Sequence, residues 1–372
     1  MSKSLPMIKP YDPHASCPVP TDVMQAQLEQ SIEAGPSMVL WDLLGACNLR
    51  CPSCPTGVHP KLNPRGMVDD EAFYATLDKL REEFGPRQQL SFYNWSEAFL
   101  HPKIVEYSAA AAEREFHLHL STNGQILRDP EGVAQAGAKT IRFSISGVTQ
   151  EIYEVGHRGG RIDRVIDNMR RLADALRSTG SRTRVHIYFL KYRHNLHEEA
   201  PARALAESLG FGFQTNWAYL MPIDHIIDYV EGQLDETTRD FTDRYIVPTT
   251  DRAVAATQPL RHRPCTLIDQ LTLDFRSEIL LCCGTYETAT SSIGSYFDLD
   301  WPEIQRRRYG HRLCRKCMHY GVHVLGPYFD DPELRSEIDA IARASLADSP
   351  AARVLNHAGV SLPVLSTPGP AG

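Results

Sequence analysis

The sequence predicts an α/β protein with a core of parallel strands and a smaller cysteine-bearing region behind it. Between residues 37 and 225, apolar β-rich runs alternate six times with amphipathic helical runs, the pattern of parallel strands joined by helices. Eight of the nine cysteines fall into two groups, one near each end of this core. The fold class is therefore a parallel sheet or barrel carrying two clusters of thiols.

Six segments are predicted as strands: Met38–Leu43, Gln89–Tyr93, His117–Ser121, Thr140–Ser146, Arg184–Leu190 and Phe211–Trp217. Five segments between them are predicted as helices: Glu71–Phe84, Lys103–Glu115, Glu131–Ala136, Arg161–Arg177 and Glu198–Leu209. In the first helix Phe73, Leu77, Leu80 and Phe84 recur at helical spacing, which places them on one buried face. In such folds the functional residues lie at the carboxyl ends of the strands.

The remaining segments are less regular. We expect an N-terminal extension over 1–36 with a helix at Asp22–Ala34, the core over 37–225, and a helical linker over 226–262. A second cysteine region over 263–325 contains a β-hairpin-like stretch, Leu271–Cys283. The segment 326–372 combines a helix at Pro332–Ala347 with a loose tail.

Composition excludes several functional classes. The 39 basic and 46 acidic residues give a formal net charge of −7, so no basic surface is expected for nucleic acid. The sequence has neither an apolar run long enough to span a membrane nor an apolar signal core at its start. These features predict a soluble cytoplasmic protein without nucleic-acid or membrane partners.

The first cysteine group follows the first predicted strand. It reads Cys47-Asn-Leu-Arg-Cys51-Pro-Ser-Cys54, so three thiols share one loop. Three local thiolates suit a cubane iron–sulfur cluster with one iron left open for another ligand. A structural zinc site is the alternative, and it would need a fourth ligand, for which His59 is the nearby candidate.

The sequence around this loop resembles the radical S-adenosylmethionine (SAM) superfamily over residues 38–220. The resemblance rests on CNLRCPSC, then WSEAFLHP (Trp95–Pro102), STNG (Ser121–Gly124), SISG (Ser144–Gly147) and the Arg158-Gly-Gly160 that follows. Each segment comes after a successive predicted strand. Departures are Ser53 in place of the usual aromatic residue, Ser96 and Ala98 around Glu97, and Ser146 in place of an aspartate.

The resemblance implies a partial (β/α)6 TIM-like barrel and a specific radical chemistry. Cys47, Cys51 and Cys54 would hold a [4Fe-4S] cluster whose open iron chelates SAM. An electron delivered by flavodoxin or ferredoxin would cleave SAM to a 5′-deoxyadenosyl radical, which abstracts a substrate hydrogen. By position, Glu97 and the backbone near Ser96 suit the amino group of SAM, Ser144 and Arg158 its carboxylate, and Ser121 and Asn123 its ribose.

The second cysteine group resembles the twitch domain, a shortened SPASM domain that carries an auxiliary cluster. The resemblance implies a second [4Fe-4S] cluster ligated by Cys265, Cys282, Cys314 and Cys317, with Cys283 as the rival of Cys282. A zinc ribbon that uses the same thiols with His319 or His323 is the alternative. The spare thiol Cys283 is a candidate hydrogen-atom donor.

A small polar substrate is expected, such as a sugar, an aminocyclitol or a nucleoside, because only about 36 residues precede the core, fewer than a leader-binding domain needs. Oxidation, epimerisation and dehydration all stay open. Polar residues near strand ends are candidate substrate contacts: Tyr93, Trp95, Tyr188, Lys191, Arg193, Asn216 and Tyr219. The alternatives are a peptide-modifying radical SAM enzyme and a zinc-stabilised scaffold without catalysis.

Overall fold

A nine-stranded sheet runs through the molecule in the order β6-β5-β4-β3-β2-β1-β7-β8-β9. The computed structural model describes residues 9–325 and 332–347. Strands β1 to β6 pair in parallel. In chain order the strands are β1 (Met38–Trp41), β2 (Gln89–Ser91), β3 (His117–Thr122), β4 (Thr140–Ile145), β5 (Arg184–Lys191), β6 (Gly212–Trp217), β7 (Gln270–Leu273), β8 (Glu278–Leu280) and β9 (Ser292–Ser295).

Helices join the strands and extend beyond them. In chain order they are α1 (Thr21–Ala34), α2 (Pro55–Val58), α3 (Asp70–Phe84), α4 (Ile104–Glu113), α5 (Pro130–Gln135), α6 (Gln150–Gly156), α7 (Ile162–Thr179), α8 (Glu199–Leu209), α9 (Ile223–Glu231), α10 (Glu236–Tyr245), α11 (Thr250–Thr257), α12 (Thr288–Ser291), α13 (Trp301–Gly310), α14 (Arg312–His319) and α15 (Pro332–Ala347).

Helix α3 illustrates how the sequence positions a helix against the sheet. The side chain of Asp69 accepts a hydrogen bond from the amide of Ala72, which satisfies a free donor at the helix start. Phe73 is fully buried and stacks on Trp41 of β1 with ring centroids 5.2 Å apart. The helix ends at Gly85, whose φ of +76° suits a residue without a side chain.

The two faces of the parallel sheet differ. Ile141, Phe143 and Ile145 of β4 are buried in the apolar core that also contains residues of α7. Because side chains alternate along a strand, Arg142 and Ser144 lie on the opposite face. We call this opposite face, over strands β1 to β6, the inner face; residues paired in register with Arg142 and Ser144, such as Ser121 and Tyr188, share it.

The cysteine region after residue 262 continues the core sheet. Strand β7 pairs in parallel with β1 from Met38↔Gln270 to Trp41↔Leu273, and β7, β8 and β9 then pair antiparallel. The sheet therefore brings the second cysteine region beside the first strand of the core.

The predicted α/β class with a parallel sheet is confirmed, and all six predicted core strands are present with ends shifted by up to two residues. The linker expected after residue 225 is three helices, α9 to α11, and helices α13 and α14 follow the predicted hairpin. Short helices α2 and α6 had no sequence signal of their own. The expected C-terminal tail lies outside the described residues.

None of the described helices combines the length and the apolar character that crossing a membrane requires.

Candidate active site

Three thiols lie on the loop that connects β1 to α2. Cys54 is the N-cap of α2, and the thiols of Cys47, Cys51 and Cys54 interact electrostatically with one another. The loop folds tightly over itself at Gly57, where an added Cβ would lie 2.5 Å from both the amide and the carbonyl of Cys51. A residue with a side chain at position 57 would therefore displace the segment that carries the thiols.

Two hydrogen-bond donors lie close to the sulfur of Cys47. The amide of Leu49 donates to Cys47 Sγ at 3.4 Å, and the Asn123 side-chain amide approaches the same sulfur at 3.6 Å. Burial raises the pKa of the Cys47 thiol to about 12 and that of Cys51 above its usual value. Ionised sulfurs at this depth need positive charge, and a thiolate-bound iron–sulfur cluster with hydrogen bonds to its sulfurs fits this set of donors.

Asp42, the residue after β1, fixes the loop that follows β2. Its buried carboxylate accepts hydrogen bonds from the amides of Asn94, Trp95 and Ser96 at 2.9 to 3.2 Å, and from Ser96 Oγ at 2.6 Å. The Ser96 side chain is therefore held by the protein itself. Sequence reasoning missed Asp42 because its partners lie far along the chain.

We expect Asp42→Ala to lower the free energy of unfolding by about 3 kcal/mol, because three partly buried amides lose their acceptor. Asp42→Asn should cost less, since the Asn side chain retains the oxygen that accepts from all three amides. Asp163→Ala removes an exposed carboxylate and is the matched control. The measurement is the thermal denaturation midpoint, and an unchanged midpoint for Asp42→Ala would contradict this role.

Glu97 is buried beside the same loop. Its carboxylate accepts hydrogen bonds from Thr122 Oγ1 at 2.7 Å, the amide of Asn123 at 2.7 Å and the amide of Phe99 at 3.2 Å. Burial raises the pKa of Glu97 to about 7, although these hydrogen bonds lower it. The carboxylate therefore ties the end of β3 to the loop after β2, and its contact with the amino group of SAM stays a prediction.

The other predicted SAM contacts come together at the same strand ends. Asn123 donates to Asn48 at 2.9 Å as well as approaching Cys47, so it touches the thiol loop directly. The carbonyl of Arg158 accepts from the amide of Arg50 on that loop at 2.9 Å, while the Arg158 side chain is exposed. Ser144 lies on the inner face, and Ser121 Oγ accepts from Arg142 Nε at 3.1 Å.

Ser146 and His157 explain one departure from the family pattern. Ser146 Oγ and His157 Nδ1 are 2.7 Å apart, and the His157 ring stacks on Tyr153 with centroids 4.8 Å apart. Burial lowers the pKa of His157 to about 4. The Ser146 hydroxyl therefore fixes His157, the residue directly before Arg158.

The second thiol group lines a small, mostly apolar cavity of about 30 Å³. The residues that line it include four thiols, Cys265, Cys282, Cys314 and Cys317. The amide of Leu267 donates to Cys265 Sγ at 3.4 Å, the same contact that Leu49 makes with Cys47. Cys283 does not line this cavity and interacts electrostatically with Tyr219.

A buried arginine faces these thiols. Arg308 of α13 is fully buried, and Nη1 donates to the carbonyl of Ile268 at 2.8 Å. Among the described residues, Nε and Nη2 have no hydrogen-bond partner, yet the guanidinium interacts electrostatically with Cys282, Cys314, Cys265 and Cys283. A buried cation with free donors beside four thiols fits an anionic group at this position.

Within the described ranges, no three His, Cys, Asp or Glu side chains converge closely enough to hold a single metal ion. The ligands of a four-iron cluster bind different irons, so they stand farther apart than the ligands of one ion.

A family model described as the radical SAM superfamily matches residues 42–198. Residues 42–198 belong to the radical SAM superfamily. The resemblance seen in the sequence is thereby confirmed, and the matched range contains the first thiol loop and every predicted SAM contact.

Individual relatives of this radical SAM domain are distant. A tungsten-containing aldehyde ferredoxin oxidoreductase cofactor-modifying protein of Pyrococcus furiosus is 28% identical over 120 residues, which are 31% of this chain and only 33% of that protein. The structure of anSMEcpe with bound AdoMet has a TM-score of 0.52 at 14% identity, covering 81% of this chain and 98% of that one. Streptococcus suis SuiB bound to precursor peptide SuiA has a TM-score of 0.50 at 12% identity, covering 76% and 67%. These likenesses show the fold.

The candidate substrate residues divide into two sets around the radical SAM domain. Tyr93 and Tyr188 flank Arg142, and Tyr219 interacts electrostatically with Tyr188 and Arg142. Asn216 pairs in register with Leu190, which places it on the inner face as well. The indole Nε1 of Trp95 donates to the carbonyl of Thr285 at 2.7 Å. This hydrogen bond connects the loop after β2 to the second cysteine region.

Lys191 and Arg193 point elsewhere. Lys191 has the same parity along β5 as the buried Ile187 and Phe189, so it lies on the helix side. There its Nζ is 3.9 Å from Glu199 and lies over the Trp217 ring. The amide of Arg193 donates to the carbonyl of Tyr245, where the chain approaches α10. The structure does not bring these two residues together with the inner-face set.

Two further residues near the radical SAM domain escaped sequence reasoning. Tyr192 is buried, and its hydroxyl is 2.8 Å from Ser53 Oγ, so it supplies an aromatic ring beside the position where the family usually has one. Arg142 lies on the inner face between two tyrosine rings. The alternation of Thr140–Ser146 was a signal for Arg142, whereas nothing local pointed to Tyr192.

Proposed function

We propose that this protein is a radical SAM enzyme that removes a hydrogen atom from a small polar substrate and uses an auxiliary iron–sulfur cluster in the same reaction. The observation that carries the proposal is the pair of thiol groups, one on the loop after β1 and one lining the cavity beside the buried Arg308. The continuous sheet through β1 and β7 supports their action on one substrate.

In this proposal Cys47, Cys51 and Cys54 hold a [4Fe-4S] cluster. When bound, that cluster and SAM supply the radical chemistry of the family. Asn123 and the amide of Leu49 donate toward the Cys47 sulfur, and Asp42 and Glu97 keep the neighbouring strand ends in place. Arg158 and Ser144 are proposed to hold the carboxylate of SAM, and Ser121 and Asn123 its ribose.

Cys265, Cys282, Cys314 and Cys317 are proposed to ligate the auxiliary cluster. Cys282 is favoured over Cys283 because Cys282 lines the thiol cavity. Cys283 is proposed as a hydrogen-atom donor, since it follows the cavity-lining Cys282 and interacts electrostatically with Tyr219. We place the domain limits at 37–225 for the core and 263–325 for the auxiliary region.

The decisive experiment is anaerobic reconstitution with iron and sulfide, followed by reduction with dithionite in the presence of SAM. We expect about eight irons per chain and release of 5′-deoxyadenosine. A colourless protein with stoichiometric zinc and no SAM cleavage would instead identify a zinc-stabilised scaffold.

A peptide substrate is the second candidate, because the SuiB structure that shares this fold is bound to a precursor peptide. The name of the Pyrococcus relative, a cofactor-modifying protein, favours a small molecule instead. Release of 5′-deoxyadenosine that rises with polyols but not with short peptides would support the small substrate, and the opposite response would support the peptide.

We expect Arg308→Gln to make the reduction potential of the auxiliary cluster more negative, because a buried cation stabilises the extra electron of the reduced form. Arg308→Lys retains the charge and is the matched control. Redox titration followed by electron paramagnetic resonance measures the shift. Equal potentials in the two variants would exclude this role for the guanidinium.

A further inference from the structure

The guanidinium of Arg142 is held in a fixed position on the inner face. It lies 4.7 Å from the ring centre of Tyr93 and 4.5 Å from that of Tyr188. Nε donates to Ser121 Oγ at 3.1 Å. The Arg142 side chain, which comes from β4, thus contacts β3, β5 and the segment after β2. Its planar group therefore has little freedom to turn.

The terminal nitrogens of this guanidinium remain available. In the part of the chain that the structure describes, neither Nη1 nor Nη2 forms a hydrogen bond, and no carboxylate lies within ion-pair distance of Arg142. The titratable group that faces it from β5 is His186, whose pKa is lowered by burial and by the nearby Arg184 and Arg142, so it is not a counter-ion. A partly buried cation without a counter-ion is energetically unfavourable unless an anion joins it.

A guanidinium stacked between aromatic rings presents its free edge as a preformed fork. That fork matches two oxygens of a carboxylate or a phosphate, which a lysine would not do equally well. We therefore propose that Arg142 binds an anionic group, a carboxylate or a phosphate, of the substrate. This inference rests on the proposed function and refines the substrate from a small polar molecule to an anionic one.

The Arg142 subsite adjoins the proposed SAM contacts, because Arg142 Nε donates to Ser121, which is proposed to bind the ribose of SAM. Arg142 precedes Ser144 by two residues on β4, so it lies about 7 Å deeper along the strand on the same face. Tyr219, which interacts with Arg142, Tyr188 and Cys283, connects the subsite to the proposed hydrogen-atom donor. An anion on Arg142 would thus hold a substrate beside both the proposed ribose contact Ser121 and Tyr219.

The test is calorimetric titration of the reconstituted full-length protein, with SAM present in excess, using inorganic phosphate and acetate as probes. Sodium chloride at matched ionic strength is the reference. We expect saturable binding of at least one probe, weakened at least tenfold in Arg142→Gln and retained in Arg177→Gln, which alters an exposed arginine paired with Asp174. Preference for phosphate over acetate would identify a phosphoryl group, and the reverse a carboxylate.

Equal binding in wild type and Arg142→Gln, or no saturable binding in wild type, would overturn the proposal. Arg142→Lys guards against misfolding, because it keeps the charge while losing the fork; it should bind more weakly than wild type. The SAM affinity of Arg142→Gln is measured in parallel, and an equal loss there would assign Arg142 to SAM instead. If wild type fails to cleave SAM yet binds the anion through Arg142, the proposed function fails and the subsite stands.

Discussion

Cys51→Ala is expected to abolish release of 5′-deoxyadenosine from SAM and to lower the iron content from about eight to about four per chain. The reason is local. Cys51 interacts electrostatically with both Cys47 and Cys54, and two remaining thiols cannot hold a cluster that needs three. The loss should be complete, because the three thiols that hold the cluster are also the reason that one iron stays free to bind SAM.

Cys17→Ala is the matched control for that experiment. Cys17 lies in the N-terminal extension, with its sulfur 3.5 Å from Met318 Sδ, and it is outside the loop that follows β1. Iron content and 5′-deoxyadenosine should both stay near the wild-type level in this variant. Unchanged SAM cleavage in Cys51→Ala would remove the basis of the proposed function.

Cys282→Ala should also halve the iron content, whereas Cys283→Ala should retain about eight irons. Only Cys282 of this pair lines the thiol cavity with Cys265, Cys314 and Cys317. Dithionite-dependent SAM cleavage should persist in Cys282→Ala, because the first thiol loop is intact, while conversion of substrate should be lost.

Iron analysis together with electron paramagnetic resonance separates these outcomes. If Cys283→Ala loses four irons and Cys282→Ala keeps them, the two roles are exchanged. If both variants keep all eight, the region does not carry the proposed second cluster.

Local sequence patterns predicted much of the fold and the first thiol group. The strands and the Cys47–Cys54 spacing are local, so the residues that make them are neighbours in the chain. Strand alternation also indicates which face each side chain takes. Lys191 shares its parity with the buried Phe189, which places it on the helix side of the sheet. Arg142 shares its parity with Ser144, which places it on the inner face.

The remaining parts depend on contacts between distant segments. Asp42 caps amides some fifty residues later, and Arg308 meets thiols from three separate segments. The Ser96 side chain donates to Asp42, and Glu97 accepts from the end of β3; the contacts of Glu97 and of the backbone near Ser96 with SAM stay predictions. No periodicity in one sequence reports such pairings, because they arise only when the sheet assembles.

The pairing of β7 with β1 makes the N-terminal core dependent on the far end of the chain. Until β7 arrives, β1 presents an open row of backbone donors and acceptors, and such an edge invites pairing with other molecules. A fragment ending before residue 262 would keep the first thiol loop but expose that edge. Residues 270–273 are therefore what close the first strand, so the edge beside the SAM-side loop stays open until this part of the chain has been synthesised.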